Sequence, residues 1–206
     1  FAKAGYFAIA PELFVRQGDA QSYGEVAKLL AEVIAKVPDE QVLGDLDATL
    51  AWARGQGADT SRTGITGFCW GGRITWLYAA HSPQVRAGVA WYGRLVGQPS
   101  PLTPKHPLDV AGSLHGPVLG LYGEKDTGIP LDGVDRMKAA LAAGSPAARK
   151  SEFVIYPDAR LPAELPQGSR RGRLEALPRL VQVARRGLIG ARAPGPRARR
   201  LTASLT

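Results

Sequence analysis

The chain has 206 residues, 45% of them hydrophobic, enough for one substantial core; its longest apolar runs, such as Val89-Ala90-Trp91-Tyr92, fall far short of the roughly 20 residues a membrane-spanning helix needs. The formal charge of +8 belongs to one segment, because residues 1–159 carry 15 Lys and Arg against 16 Asp and Glu, whereas residues 160–206 carry 11 Arg, no Lys and two Glu. That distribution argues against a basic folded surface for nucleic acid, and a single cysteine, Cys69, excludes an internal disulfide and a multi-cysteine metal site.

The chain opens on Phe1 and runs at once into a strand-like Tyr6–Ala10, so the expectation is a natural N-terminus lying upstream, with any signal peptide. Next, Val26, Leu29, Leu30, Val33, Ile34 and Val37 recur at helical spacing, and Ser22 with Glu25 three residues on resembles a capping box. A second helix is predicted over Glu40–Arg54, a strand over Arg62–Phe68 and a third helix over Gly72–Ala80. Strands follow at Ala87–Tyr92 and Val118–Tyr122, a helix at Asp132–Ala143, and a last strand at Glu152–Tyr156. The strands are apolar on both faces and alternate with helices, which predicts an α/β doubly wound domain with a mostly parallel sheet covered by helices.

After Asp158 this order stops. Pro162, Pro166, Pro178, Pro194 and Pro196 stand among scattered Arg and Gly, and only Leu174–Leu188 could hold a helix, itself interrupted by Pro178. The expected organisation is a domain over 1–159 and an Arg- and Pro-rich, poorly ordered tail over 160–206.

Strand, then Gly67-Phe68-Cys69-Trp70-Gly71, then helix is the pattern of a nucleophile elbow, a turn so tight that only glycine fits beside the nucleophile. Cys69 would stand at the carboxyl edge of the sheet, with the amide of Trp70 aimed at a developing oxyanion and a helix N-terminus favouring the thiolate. The alternative is a small buried apolar residue, the usual fate of a lone cysteine. An acid partner should follow on a later strand end. Asp126, just beyond Val118–Tyr122, is the candidate; Glu124, two residues earlier, reads as solvated.

Gly67-Phe68-Cys69-Trp70-Gly71-Gly72, Trp91-Tyr92-Gly93, Leu121-Tyr122-Gly123 leading to Asp126, and Tyr156-Pro157-Asp158-Ala159 together resemble the dienelactone hydrolase (carboxymethylenebutenolidase) family of the α/β-hydrolase superfamily. The resemblance covers about Phe1 to Ala159. It implies a hydrolase of esters or lactones whose cysteine attacks the carbonyl, forming a thioester that water cleaves, with an Asp-oriented His as base. It implies no metal and no organic cofactor. Ala10-Pro11-Glu12-Leu13-Phe14 followed by Arg16 matches a family stretch in which the arginine binds an anionic substrate carboxylate; otherwise Arg16 is an ordinary loop arginine.

Two parts of the family pattern are missing. The family's upstream glutamate would precede Phe1, as would the first strands and one oxyanion donor. The family histidine follows Tyr-Pro-Asp-Ala and is itself followed by Gly-Phe, whereas here Ala159 is followed by Arg160-Leu161-Pro162 and no histidine occurs beyond His115. His81 should lie about three turns from Cys69, His106 in a Pro-rich loop, and His115 at the amino end of a strand, so all three read as structural or solvated. An out-of-frame tail would explain the loss: with synonymous codons chosen to fit, a +1 reading of residues 160–187 permits Gly-Phe after the histidine position, then Tyr-Arg, Gly-Trp-Lys-Arg and Ala-Trp-Phe. That sequence resembles the family's last helix, whose absence would expose one face of the sheet.

The expected partner is a small ester or lactone, anionic if Arg16 acts as in the family, with no membrane partner; the sequence leaves the compartment open, with the cytoplasm favoured, and does not set the oligomeric state. Two other classes remain: a non-catalytic binding protein of the same fold, and nucleic-acid binding through the basic tail. The tail's lack of Lys, Phe, Tyr and Trp weighs against the second, so no nucleic-acid partner is expected. Trp70, Trp76, Trp91 and Tyr92 either line a pocket or pack the core.

Overall fold

The structure, a computed structural model, describes residues 1–159 and, as backbone, 200–205. The predicted helix over Leu174–Leu188 and the out-of-frame reading of residues 160–187 lie outside the described residues. In chain order the elements are β1 (Tyr6–Ile9), α1 (Val26–Glu32), α2 (Asp39–Gly55), β2 (Asp59–Phe68), α3 (Trp70–His81), β3 (Val85–Trp91), α4 (Pro107–Val110), β4 (Val118–Gly123), α5 (Leu131–Ala142), β5 (Glu152–Tyr156) and β6 (Arg200–Leu205). The six strands form one sheet in the order β1-β6-β2-β3-β4-β5, every described pairing parallel. A sheet of parallel strands separated by helices is the α/β architecture the apolar runs predict. No helix among the described residues is long and apolar enough to cross a membrane.

Two local expectations differ from the structure. The capping box does not form: Ser22 Oγ donates to the Asp19 carbonyl, and α1 begins only after Glu25, which acts as N-cap without a side-chain bond. The helix also ends early, at Glu32, and passes into a 3₁₀ turn over Ile34–Lys36. Val33 and Val37 are fully buried, and Pro38 forces the residue before it into an extended conformation, so burial and proline together override the helical periodicity. At the other end of the chain, Arg200–Leu205 lies within the segment read as a poorly ordered tail, yet it runs as β6 between β1 and β2, with Ile65 opposite Ala203. A short Leu-Thr-Ala-Ser-Leu stretch carries too weak a periodicity to announce a strand.

β4 is buried along its whole length, with Leu119 and Leu121 on opposite sides from Gly120 and Tyr122. Helices α2, α3, α4 and α5 touch one another in turn and form a continuous layer. Within it α3 is central, every residue from Gly71 to Ala79 being buried. A helix apolar on all sides belongs in an interior, and this one carries the only buried arginine among the described residues.

That arginine, Arg73, makes a two-pronged ion pair with Asp39 at 2.6 and 2.7 Å and donates a third bond to the Lys105 carbonyl at 2.7 Å. Its Nε points at His106 Nδ1, 3.4 Å away, while His106 Nε2 meets the Gln98 carbonyl at 3.1 Å. A neutral His106 with its proton on Nε2 satisfies both contacts. One buried knot therefore ties the start of α2, the first turn of α3 and the loop after β3 together. Removing one charge from such a pair leaves the other uncompensated in the interior.

The first turn of α3 lies directly against the ends of β2 and β3. A Cβ on Gly72 would meet the Trp91 carbonyl oxygen at 2.5 Å and the Gly93 nitrogen at 2.9 Å, and one on Gly67 would meet the Gly71 carbonyl carbon at 2.5 Å. By contrast, a Cβ on Gly44, on the exposed face of α2, meets nothing.

In urea unfolding, Asp39→Asn is expected to lower stability by about 3–5 kcal/mol. Gly72→Ala should cost about 1–3 kcal/mol or more through backbone displacement, whereas Gly44→Ala should raise stability by about 0.5–1 kcal/mol through helix propensity. Equal midpoints for the two glycine variants would contradict the close packing described at α3.

Candidate active site

Because the strands are parallel and in register at their ends, with Phe68 opposite Trp91, Trp91 opposite Leu121 and Gly123 opposite Tyr156, the loops that follow them gather on one edge. Cys69 follows β2 and Asp126 follows β4, on either side of β3. The strands that carry them are two spacings, about 10 Å, apart.

Cys69 has φ 53 and ψ −115, a backbone conformation that costs a non-glycine residue about 1–3 kcal/mol and persists only where the surroundings impose it. Here its N–H donates to the Trp91 carbonyl at 3.0 Å and its carbonyl accepts from Arg73 N–H at 3.2 Å. The side chain is exposed, so the buried apolar alternative for the lone cysteine does not describe its placement. Trp70 opens α3, and a first-turn N–H has no acceptor within its own helix. The amide next to the sulfur is thus oriented by the helix.

The neighbouring turn is fixed by two bonds that the sequence pattern does not show. Tyr92, with φ 39, donates its N–H to the Leu121 carbonyl at 2.8 Å. The Tyr122 hydroxyl donates to the Gly93 carbonyl at 3.0 Å and accepts from Trp76 Nε1 at 3.1 Å. Burial raises the Tyr122 phenol well above its ordinary pKa, only partly offset by the Trp76 bond, so it stays protonated and remains a donor. Trp76, Trp91 and Tyr92 are buried, whereas Trp70 is half-buried and rests on Phe14, ring centres 5.1 Å apart. Most of the aromatic residues near the motif are therefore core.

Asp126 is 8% exposed. Its Oδ1 accepts from Gly128 N–H at 2.8 Å, which orients the carboxylate, while Oδ2 is buried without a partner among the described residues. The only other side-chain oxygen in that condition among them is Asp59 Oδ2, at the amino end of β2. Glu124, read as solvated, is exposed but caps a turn: it accepts from Asp158 N–H at 3.1 Å, and Lys125 pairs with Asp158 at 2.5 Å. Lys125 N–H also bonds the Ala159 carbonyl at 3.0 Å, so the turn after β5 is fastened to the Asp126 loop.

The three histidines lie elsewhere. His81 closes α3 and pairs with Asp47 at 2.8 Å, His106 belongs to the Arg73 knot, and His115 precedes β4 with its N–H on the Ala79 carbonyl. Arg16 follows the Leu13-Phe14 segment that covers Trp70, but its guanidinium is held by Asp45 of α2, with Nη1 at 2.8 Å from Oδ2 and Nη2 on Oδ1. The structure thus brings Cys69, Trp70 and Asp126 to one edge and leaves Arg16 engaged with the protein itself.

Comparison with known proteins points in one direction. A model of the dienelactone hydrolase family matches residues 1–160. A protein of Methylorubrum extorquens with the provisional name carboxymethylenebutenolidase is 61% identical over 159 residues, covering 77% of this chain and 54% of that protein. One of the same provisional name from Escherichia coli is 54% identical over 158 residues, covering 77% of this chain and 57% of its own length. The chain thus spans about half the length of the curated relatives it matches. A crystal structure provisionally named as a dienelactone hydrolase, from Klebsiella pneumoniae, superposes with a TM-score of 0.79 at 49% identity over 88% of this chain and 77% of the other. An esterase of Pyrococcus furiosus shares the fold at 17% identity, with a TM-score of 0.55 over 70% of this chain and 60% of its own. With a strained elbow at the carboxyl edge of an α/β sheet and a family model that matches residues 1–160, the chain belongs to the dienelactone hydrolase family.

Proposed function

We propose that the chain carries the nucleophile and acid of a hydrolase acting on a small ester or lactone. Cys69 attacks the carbonyl carbon, the Trp70 N–H stabilises the oxyanion, and Asp126 orients the base. The observation that carries this reading is the pair of unusual states at one sheet edge: an exposed cysteine in a strained elbow, and a buried, oriented carboxylate with one oxygen unpartnered. Strain of that kind concentrates at functional sites, and an unpaired buried carboxylate oxygen calls for a donor. Family membership supports the reaction class.

The same observations bear on how well this chain performs the reaction. Its three histidines are engaged or remote from Cys69, and residues 160–206 contain no His, Lys, Tyr or Cys. Base activation of the thiol and protonation of the leaving group are each worth about 10²–10⁴ in rate. We therefore assign the chain a nucleophile that acylates but turns over poorly. For an anionic substrate Arg16 is the proposed clamp, and it would have to exchange Asp45 for the substrate carboxylate. The reading assigns no nucleic-acid partner.

A second reading, a non-catalytic binding protein of the same fold, draws on the missing base alone. The two differ in the reactivity of the thiol. With a small aryl ester, intact-mass analysis is expected to show one acyl group per chain, absent from Cys69→Ala, and negligible steady hydrolysis. Iodoacetamide should label Cys69 faster than an ordinary exposed thiol. Ordinary labelling without acylation would favour the binding protein, and steady turnover lost in Cys69→Ala would overturn the assignment of impaired activity.

A further inference from the structure

We propose that the slot between β1 and β2 accepts the β6 strand of a second copy of this chain, so that two chains pair by reciprocal strand exchange. Leaving β6 aside, the strands follow chain order across the sheet, β1-β2-β3-β4-β5. The last strand enters between the first two, parallel to both. β1 pairs with no other described strand, so its place in the sheet depends on β6.

The slot has defined walls. On one side Phe7 of β1 meets the Trp52 ring of α2 edge to face, with centres 6.1 Å apart, which ties β1 to the helix layer. On the other side Thr63–Gly67 of β2 pairs in regular register with Leu201–Leu205, while the ladder skips from Asp59 to Thr63 at its start. A strand in the slot is therefore bonded on both edges, as a central strand must be.

The connection decides which copy can supply that strand. Every earlier pair of consecutive strands is joined through a helix of the covering layer, which directs the next strand to the neighbouring place. β5 ends at the carboxyl edge, whereas β6 begins at the amino edge four strand spacings away, a path of roughly 30 Å. Residues 160–199 join them, and 40 residues can extend to about 130 Å. That length reaches the slot of a neighbouring copy as well as its own. The backbone bonds are the same in either arrangement, so the balance is set by chain concentration against the effective concentration of the tethered strand, on the order of millimolar.

Exchange also touches the elbow. Leu205 stands opposite Gly67, two residues before Cys69, and Ala203 stands opposite Ile9, from which the chain runs to Phe14 against Trp70. In the exchanged pair each copy's strand supports the other's elbow and the segment beside it.

The test uses two full-length chains in a Cys69→Ala background, one carrying Ile9→Cys and the other Ala203→Cys, Cα partners in the β1–β6 ladder. They are unfolded together in urea, refolded at about 10 µM and at about 1 mM, concentrations that bracket the tethered regime from below, and oxidised in a glutathione buffer. The covalent heterodimer is expected to increase about tenfold or more between the two concentrations. It should fall to background when Gly44→Cys, on the exposed face of α2, replaces Ile9→Cys. By native mass spectrometry the unmodified chain refolded at the higher concentration should show dimers that persist on dilution, because separation requires a central strand to leave the sheet. Thr202→Pro, which removes an N–H from the middle of β6, should abolish them. A chain that is monomeric at both concentrations, or dimers that yield no covalent link between the two cysteine variants, would overturn the proposal whether or not Thr202→Pro folds.

Discussion

The backbone of α3 begins so close to the ends of β2 and β3 that no side chain fits between them, and the geometry of the carboxyl edge follows from that contact. Gly67, Gly72 and Gly93 occupy the points where a Cβ would strike main-chain atoms of the neighbouring segment. Closing the distance allows the chain to pass from strand to helix in one residue. That residue, Cys69, must then take a left-handed φ that most side chains avoid. The same contact exposes the sulfur and turns the first N–H groups of α3 toward the space above it.

Such strain survives only because its surroundings hold it from several directions. Cys69 is bonded at both its N–H and its carbonyl, and the next turn is held by Leu121 and by the Tyr122 hydroxyl. Beneath them, Arg73 links α3 to the start of α2 and to the loop after β3 through a pair whose two side chains are only 6% and 7% exposed. A pair so deeply buried is a poor source of net stability, since desolvation offsets most of the attraction. Its physical effect is to specify one arrangement of three segments, and that arrangement sets where the elbow points.

Asp126 stands apart from this pattern of satisfied groups. The backbone of its loop orients one oxygen, and the turn at Tyr156–Ala159 is fastened beside it, yet the second oxygen has no donor among the described residues. Among the described residues only one other buried side-chain oxygen shares that condition, Asp59 Oδ2 at the amino end of β2.

Much of this was legible from the residues themselves, for local reasons. Gly-x-Cys-x-Gly between an apolar strand and a helical pattern can adopt few conformations, so Cys69, Trp70 and the ends of α2, α3, β4 and β5 could be read from short-range rules, and the absence of a histidine after His115 is a property of the sequence alone. What depended on distant partners could not be read. The early end of α1 comes from burial of Val33 and Val37, and β6 pairs with residues nearly two hundred positions away in β1 and about 140 away in β2. The partners of Arg73 and Tyr122, the engagement of Arg16 by Asp45, and the unpartnered oxygen of Asp126 were likewise decided only in three dimensions. Spacing along a chain determines which backbone conformations are possible; which buried polar groups find one another depends on how the layers pack.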